Sequence, residues 1–190
     1  YGQLAWKLRN DEQVEVYERC NFRYLEFDQL PVKVPLIVTD VSFISLRLII
    51  PGVKKFLKKH GDFIALIKPQ FEAGRERVGK KGVVKDPEVH IDVILSLSNF
   101  FVSEGFELKG LNYSPITGAE SSNIEYLIHL KYTAYDTDNA DNTGDKGSTK
   151  NIDDSTVSDK NKTSEDKFNN KEWKDYVIKT VSKAHKELGG

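Results

Sequence analysis

The chain has 190 residues, enough for one domain with a real core, and its 38% hydrophobic and 30% charged residues suit a water-soluble fold. No run of about 18 apolar residues occurs, which excludes a membrane-spanning helix, and the opening YGQLAWKLRN lacks the basic-then-apolar pattern of a signal peptide. The net charge of −1 is unevenly spread: residues 135–170 hold nine acids against five lysines, which leaves the rest at +3. That mild excess tolerates a polyanionic partner but is no nucleic-acid signature in itself.

The only cysteine, Cys20, excludes an internal disulfide framework and a cysteine-rich zinc site, and it fits a reducing cytoplasm. The sequence contains no methionine, so it is expected to begin inside a longer reading frame.

In chain order, residues 1–9 suggest the end of an amphipathic helix, with Leu4, Ala5 and Leu8 at helical spacing. VEVYE (14–18) alternates like a strand. PLIVTDV (35–41) is a continuous apolar run reaching Asp40, which predicts a strand buried on both faces. SLRLIIPGVKKFLKKHG (45–61) predicts a helix stopped by Gly61, with a kink or break at Pro51-Gly52. FIALIK (63–68) follows as a second buried strand, 62–68, that ends in a lysine and then a proline.

FEAGRERVGKKGVVK (71–85) carries three glycines and five basic residues against two acids, the pattern of a long basic loop. Asp86-Pro87 is a helix start, with Asp as N-cap and Pro at the first helical position; this helix is expected to run to Gly105. FELKGLNY (106–113) and NIEYLIHLKY (123–132) read as two further strands around SPITGAES. With no helix between them, they are expected to pair antiparallel at one edge of a mainly parallel α/β sheet.

Residues 135–170 contain five apolar side chains, too few to offset the entropy of ordering, and are expected to be a disordered linker. KEWKDYVIKTVSKAHKEL (171–188) regains a helical pattern. It presents Trp173, Val177, Ile178, Val181 and Ala184 as the face of a terminal helix that docks on the body.

Ligands of open α/β sheets bind beyond the carboxyl ends of the strands. Asp40 ends one predicted strand and Lys68 another. Glu125 lies early in a strand running the other way, so all three converge on one rim. Each has an ordinary reading too: Asp40 as a helix N-cap, Lys68 as a solvated strand end, Glu125 as a surface residue on an edge strand.

VTDVSFISL, ALIKPQFEAGRERVGKKGVVKDPEVH and SPITGAESSNIEYLIHL resemble the TlyA family, often labelled haemolysin A, and so do YGQLAWKLR and ERCNFRY, where the family commonly has Thr at the position of Cys20. The resemblance implies an FtsJ-type ribosomal RNA 2′-O-methyltransferase that uses S-adenosylmethionine. The implied fold is a Rossmann-like class I methyltransferase sheet, mostly parallel, with an antiparallel edge hairpin. It implies a Lys-Asp-Lys-Glu tetrad whose last three members fall on Asp40, Lys68 and Glu125, with Glu120 the near alternative to Glu125. Tyr1, Gly2, Asn21 and Asp40 are the implied cofactor contacts. The family's first lysine, its first strand with a glycine-rich turn, and an S4-like RNA-binding domain would all lie upstream of Tyr1. Residues 1–134 are thus expected to be a partial methyltransferase domain, followed by the 135–170 segment and a C-terminal helix in 171–190.

Methyl transfer to a ribose 2′-hydroxyl needs help in removing the hydroxyl proton, and Lys68 is the implied base. An ordinary lysine is protonated at neutral pH, so the role calls for desolvation and cationic neighbours, whereas Asp40 and Glu125 favour the charged form and would orient it. Arg75, Arg77, Lys80 and Lys81 are candidate phosphate contacts on ribosomal RNA; the alternative is a mobile, solvated loop. Three rivals remain: an RNA-binding remnant without catalysis (the 190 residues alone are expected to be inactive), a membrane-lytic protein, for which no apolar stretch speaks, and a metal-dependent hydrolase using Asp40 and Glu125. No His-x-x-x-His pair supports the last.

Overall fold

The computed structural model describes residues 4–117, 122–133 and 171–189. Tyr1, Gly2, Glu120 and the 135–170 segment lie outside the described residues. The elements are helix α1 (Trp6–Arg9), strand β1 (Val34–Thr39), helix α2 (Ile50–Phe56), strand β2 (Leu57–Ile67), helix α3 (Pro69–Glu72), helix α4 (Pro87–Ser103), strands β3 (Phe106–Tyr113) and β4 (Tyr126–Tyr132), and helix α5 (Lys171–Leu188).

The four strands form one sheet in the order β1-β2-β4-β3. β1 and β2 pair parallel, and β4 pairs antiparallel with both β2 and β3. Three strands therefore run one way, and β4 alone runs back between them. The expected antiparallel pair is β3–β4, with β3 on the edge and β4 inside the sheet. The carboxyl ends of β1, β2 and β3 share one rim with the start of β4, where Ile67 and Tyr113 both pair with Tyr126.

One face of the sheet is covered. Phe63, Ala65 and Ile67 of β2 alternate into the core with Tyr126, Ile128 and Leu130 of β4, all fully buried. They form one cluster with Ile94, Leu97 and Phe101 of α4 and Val177, Val181 and Ala184 of α5. The other face is partly open. The expected burial of β1 on both faces does not occur: Leu36 is 49% and Val38 64% exposed, because β1 is an edge strand whose second face no described element covers.

Several boundaries differ from the sequence reading, each for a physical reason. VEVYE forms no strand, since Val16 and Tyr17 are exposed and none of the described strands pairs with it. The 45–61 segment is not one helix: a 3-10 turn at Leu46–Leu48 precedes α2, Pro51 sits in α2's first turn, and the helix ends at Phe56. A Cβ on Gly52 would stand 2.9 Å from the Phe22 ring, so the glycine permits close packing there. Gly61 is no helix stop, because the chain has already joined β1 at the Val34–Leu57 pair. The register then breaks before Leu36–Asp62, and His60 takes a φ of 58°.

Asp86 caps α4 by accepting from the Glu88 N–H at 3.0 Å, and Gly105, at φ 87°, turns the chain into β3. Residues 123–125 precede β4 and are not part of it. On α5 the buried set is Val177, Thr180, Val181 and Ala184, while Ile178 faces outward. The helix is held by Trp173 Nε1–H donating to Ser98 Oγ (3.1 Å) and Tyr176 O–H donating to the Leu111 carbonyl (2.6 Å).

Candidate active site

β1 ends at Thr39, which leaves Asp40 on the loop beyond the rim, while β2 carries Lys68 to the same rim and Pro69 starts α3. Lys68 Nζ lies 2.7 Å from Asp40 Oδ1 and 3.7 Å from Glu125 Oε1. Its Nζ also donates to Ser42 Oγ at 3.3 Å. The three residues singled out from the sequence thus meet around one ammonium group. Its side chain is 13% exposed and that of Glu125 12%, whereas Asp40 is 70% exposed. The cluster has a dry side and a wet side, so an incoming molecule meets Asp40 first.

Burial pushes the Glu125 carboxyl above its ordinary value. The Lys68 charge pulls it back, and the Asp40 carboxylate adds to the upward push.

Sequence reasoning missed three contributors. Ser42 supplies the oxygen donated to by Lys68. Phe43 sits next to it at φ 62° with 90% of its surface exposed, an uncommon backbone for a bulky side chain. Its ring lies 5.0 Å from that of Phe71, three residues past Lys68. Glu72 reaches from α3 to accept from Ser45 Oγ–H and the Leu46 N–H, both at 2.7 Å, and so ties the loop after Asp40 to the segment after Lys68. These roles depend on contacts across 26 to 28 residues, for which a single sequence carries no periodic signal.

Of the implied cofactor contacts, Asp40 is in the cluster. Asn21 spends its side-chain oxygen on the Arg23 N–H at 3.1 Å. With Phe43 and Phe71, Asn21 lines an open cleft of about 510 Å³ beside the rim. Of the basic loop, Arg77 donates to the Ala73 carbonyl at 2.8 Å and stands 3.3 Å from Asp92, while Arg75, Lys80 and Lys81 are exposed.

The sheet thus holds one reversed strand between parallel ones, with a lysine between two acids beyond the strand ends. Residues 1–132 match the FtsJ-like methyltransferase family, and the chain belongs to it. Over 133 residues it is 55% identical to the Bacillus subtilis protein YqxC, covering 70% of this chain and 47% of that one. Over 131 residues it is 40% identical to the Mycobacterium tuberculosis 16S/23S rRNA (cytidine-2'-O)-methyltransferase TlyA, covering 69% of this chain and 48% of that one. A solved Streptococcus thermophilus structure that bears a haemolysin name superimposes with a TM-score of 0.72 at 35% identity, over 100% of this chain and 56% of that one. The chain spans about half the length of these relatives. Among the described residues, no helix is long and apolar enough to cross a membrane.

Proposed function

We propose that this chain is the methyl-transferring part of a ribosomal RNA 2′-O-methyltransferase that uses S-adenosylmethionine and works in the cytoplasm on ribosomal RNA or ribosomal subunits. The observation that carries the reading is the Lys68 ammonium group seated between Asp40 at 2.7 Å and Glu125 at 3.7 Å on the ligand-binding rim of the sheet. Family membership and the similarity to TlyA support it.

The rim suits the reacting end of the cofactor. Two carboxylates, Asp40 and Glu125, give an acidic lining to a site that must accept a sulfonium cation, and Thr39, next to Asp40, keeps a buried hydroxyl oxygen with no hydrogen-bond partner among the described residues. When bound, S-adenosylmethionine supplies the electrophilic methyl group. Lys68 would be the base that takes the proton of the 2′-hydroxyl as its oxygen gains the methyl group and the methyl carbon–sulfur bond breaks to leave a neutral thioether, and it would then carry that proton as an ammonium group. Asp40 and Glu125 hold Nζ in place for that transfer and stabilise the resulting charge, and Ser42 fixes its third direction. General-base help of this kind contributes roughly 10²–10⁴-fold.

Phe43, exposed beside Ser42, offers a stacking face for the base of the target nucleotide. Arg75, Lys80 and Lys81 extend a cationic track for the phosphates; Arg77 contributes less, because it already serves Ala73 and Asp92. Residues 1–134 carry the chemistry in this reading, with helix α5 (Lys171–Leu188) closing the covered face.

The test is transfer of labelled methyl groups from S-adenosylmethionine to ribosomal RNA by the full-length protein that contains this chain, with the product located by its resistance to alkaline cleavage. Methylation on a base, or none on RNA with intact cofactor binding, contradicts the proposal.

A further inference from the structure

The glycine-rich stretch 79–83 closes on itself. The Gly82 N–H donates to the Gly79 carbonyl at 2.8 Å and the Gly79 N–H to the Val83 carbonyl at 3.0 Å, with Gly82 at φ 74°. This tight turn puts Lys80 and Lys81 at its exposed tip.

Two buried side chains hold its stem. Asn123, 1% exposed, donates from Nδ2 to the Gly82 carbonyl at 2.9 Å and accepts from the Val84 N–H at 3.0 Å. His90, 0% exposed, reaches the Val84 carbonyl through Nε2 at 2.9 Å. A carbonyl only accepts, so Nε2 carries the proton and Nδ1 accepts from the Tyr126 O–H at 2.8 Å. Asn123 lies two residues before Glu125, and Tyr126 lies one after it. The stem of the basic turn and the backbone that carries Glu125 are therefore pinned together from both sides.

We propose that Asn123, backed by His90, is a positioning residue that sets the Lys80–Lys81 turn at a fixed distance from Glu125 and Lys68, so that an RNA strand gripped by its phosphates at the turn is presented in register to the reacting lysine. The proposal rests on the RNA-methyltransferase reading. Its physical content is coupling: a lysine on a preset turn binds a phosphate without the entropy of ordering the loop, and releasing the stem removes that advantage.

The test is a double-mutant cycle read by filter binding of purified bacterial ribosomal RNA. Lys80→Ala/Lys81→Ala is made in the otherwise unaltered protein, in Asn123→Ala and in Gly82→Val. The valine is strained at the positive φ, while a Cβ there meets nothing within 4 Å among the described residues, so it opens the exposed turn without touching the core and covers any failure of Asn123→Ala to fold. Removing the two lysines is expected to weaken binding about tenfold with the stem intact and less than about threefold with it released. The same factor in every background, or no effect of the lysines on the intact stem, overturns the proposal. Coupled binding in a protein that methylates no ribosomal RNA removes the methyl-transfer reading, and with it the register to Lys68, and leaves only the preset lysine turn as an RNA grip.

Discussion

Lowering the pH should loosen the fold through His90, which no described feature exposes to water. Its ring has lost its solvent, and burial holds its pKa at about 4, below the ordinary 6.5; the Val84 bond resists that shift and the neighbouring His185 adds to it. The folded value lies under the unfolded one. Between pH 6.5 and 4 the unfolded chain therefore binds a proton that the folded chain refuses. The contribution is complete above pH 6.5 and is lost as the pH falls towards 4. From pH 7 to pH 5, one histidine with these two values removes about 2 kcal/mol of folding stability. Glu72 and Glu125 work the other way, since burial raises both carboxyls and their protonation favours the folded state as the pH drops. The assay is therefore a difference. Urea unfolding is measured at pH 7 and pH 5 for the unaltered protein and for His90→Gln, whose amide offers a donor to Val84 and an acceptor to Tyr126 without a titrating proton. The acid loss should be about 2 kcal/mol smaller in the variant. Equal losses in both proteins would refute the reasoning about His90.

Other outcomes follow from the site. Glu125→Gln should lower methyl transfer by roughly 10²-fold while leaving thermal stability at neutral pH equal or higher, as scanning calorimetry can check: a carboxyl raised by burial loses stability for the fold as pH rises through its ionisation, and the amide does not ionise. Glu72→Ala should cost about 1–3 kcal/mol in urea unfolding, because it strips acceptors from Ser45 Oγ–H and the Leu46 N–H. It should lower turnover as well, since the loop after Asp40 loses its tie to α3. Phe63→Ala, at the centre of the covered face, should cost about 3–5 kcal/mol, and if the cofactor still binds, methyl transfer should recover on cooling.

Much of the sheet was readable wherever one signal dominated. The FIALI run ending in Lys-Pro marked β2 and its rim, Asp86-Pro87 marked the start of α4, and the missing helix between β3 and β4 marked their antiparallel pairing. Asp40, Lys68 and Glu125 could be placed together from strand direction alone. VEVYE misled because alternation makes a strand only where a partner ladder exists. KKFLKKHG misled because its helical spacing lost to pairing with β1 from Leu57 onward. Leu36 and Val38 read as core because an apolar run does not reveal whether its second face is covered. Ser42, Phe43, Glu72 and the Asn123 clamp stayed hidden, since each acts through a partner distant in the chain, and no residue-type pattern foretells such a pairing.

The most direct check on the central claim is a single-turnover measurement of labelled methyl transfer to ribosomal RNA by Lys68→Ala and Lys68→Arg in the full-length protein, alongside S-adenosylmethionine affinity. The account predicts that both variants bind the cofactor within about threefold of the unaltered protein and lose roughly 10²-fold or more in the methyl-transfer rate; arginine keeps the charge between Asp40 and Glu125 but cannot take a proton. A Lys68→Arg protein that transfers methyl groups at the unaltered rate would contradict it.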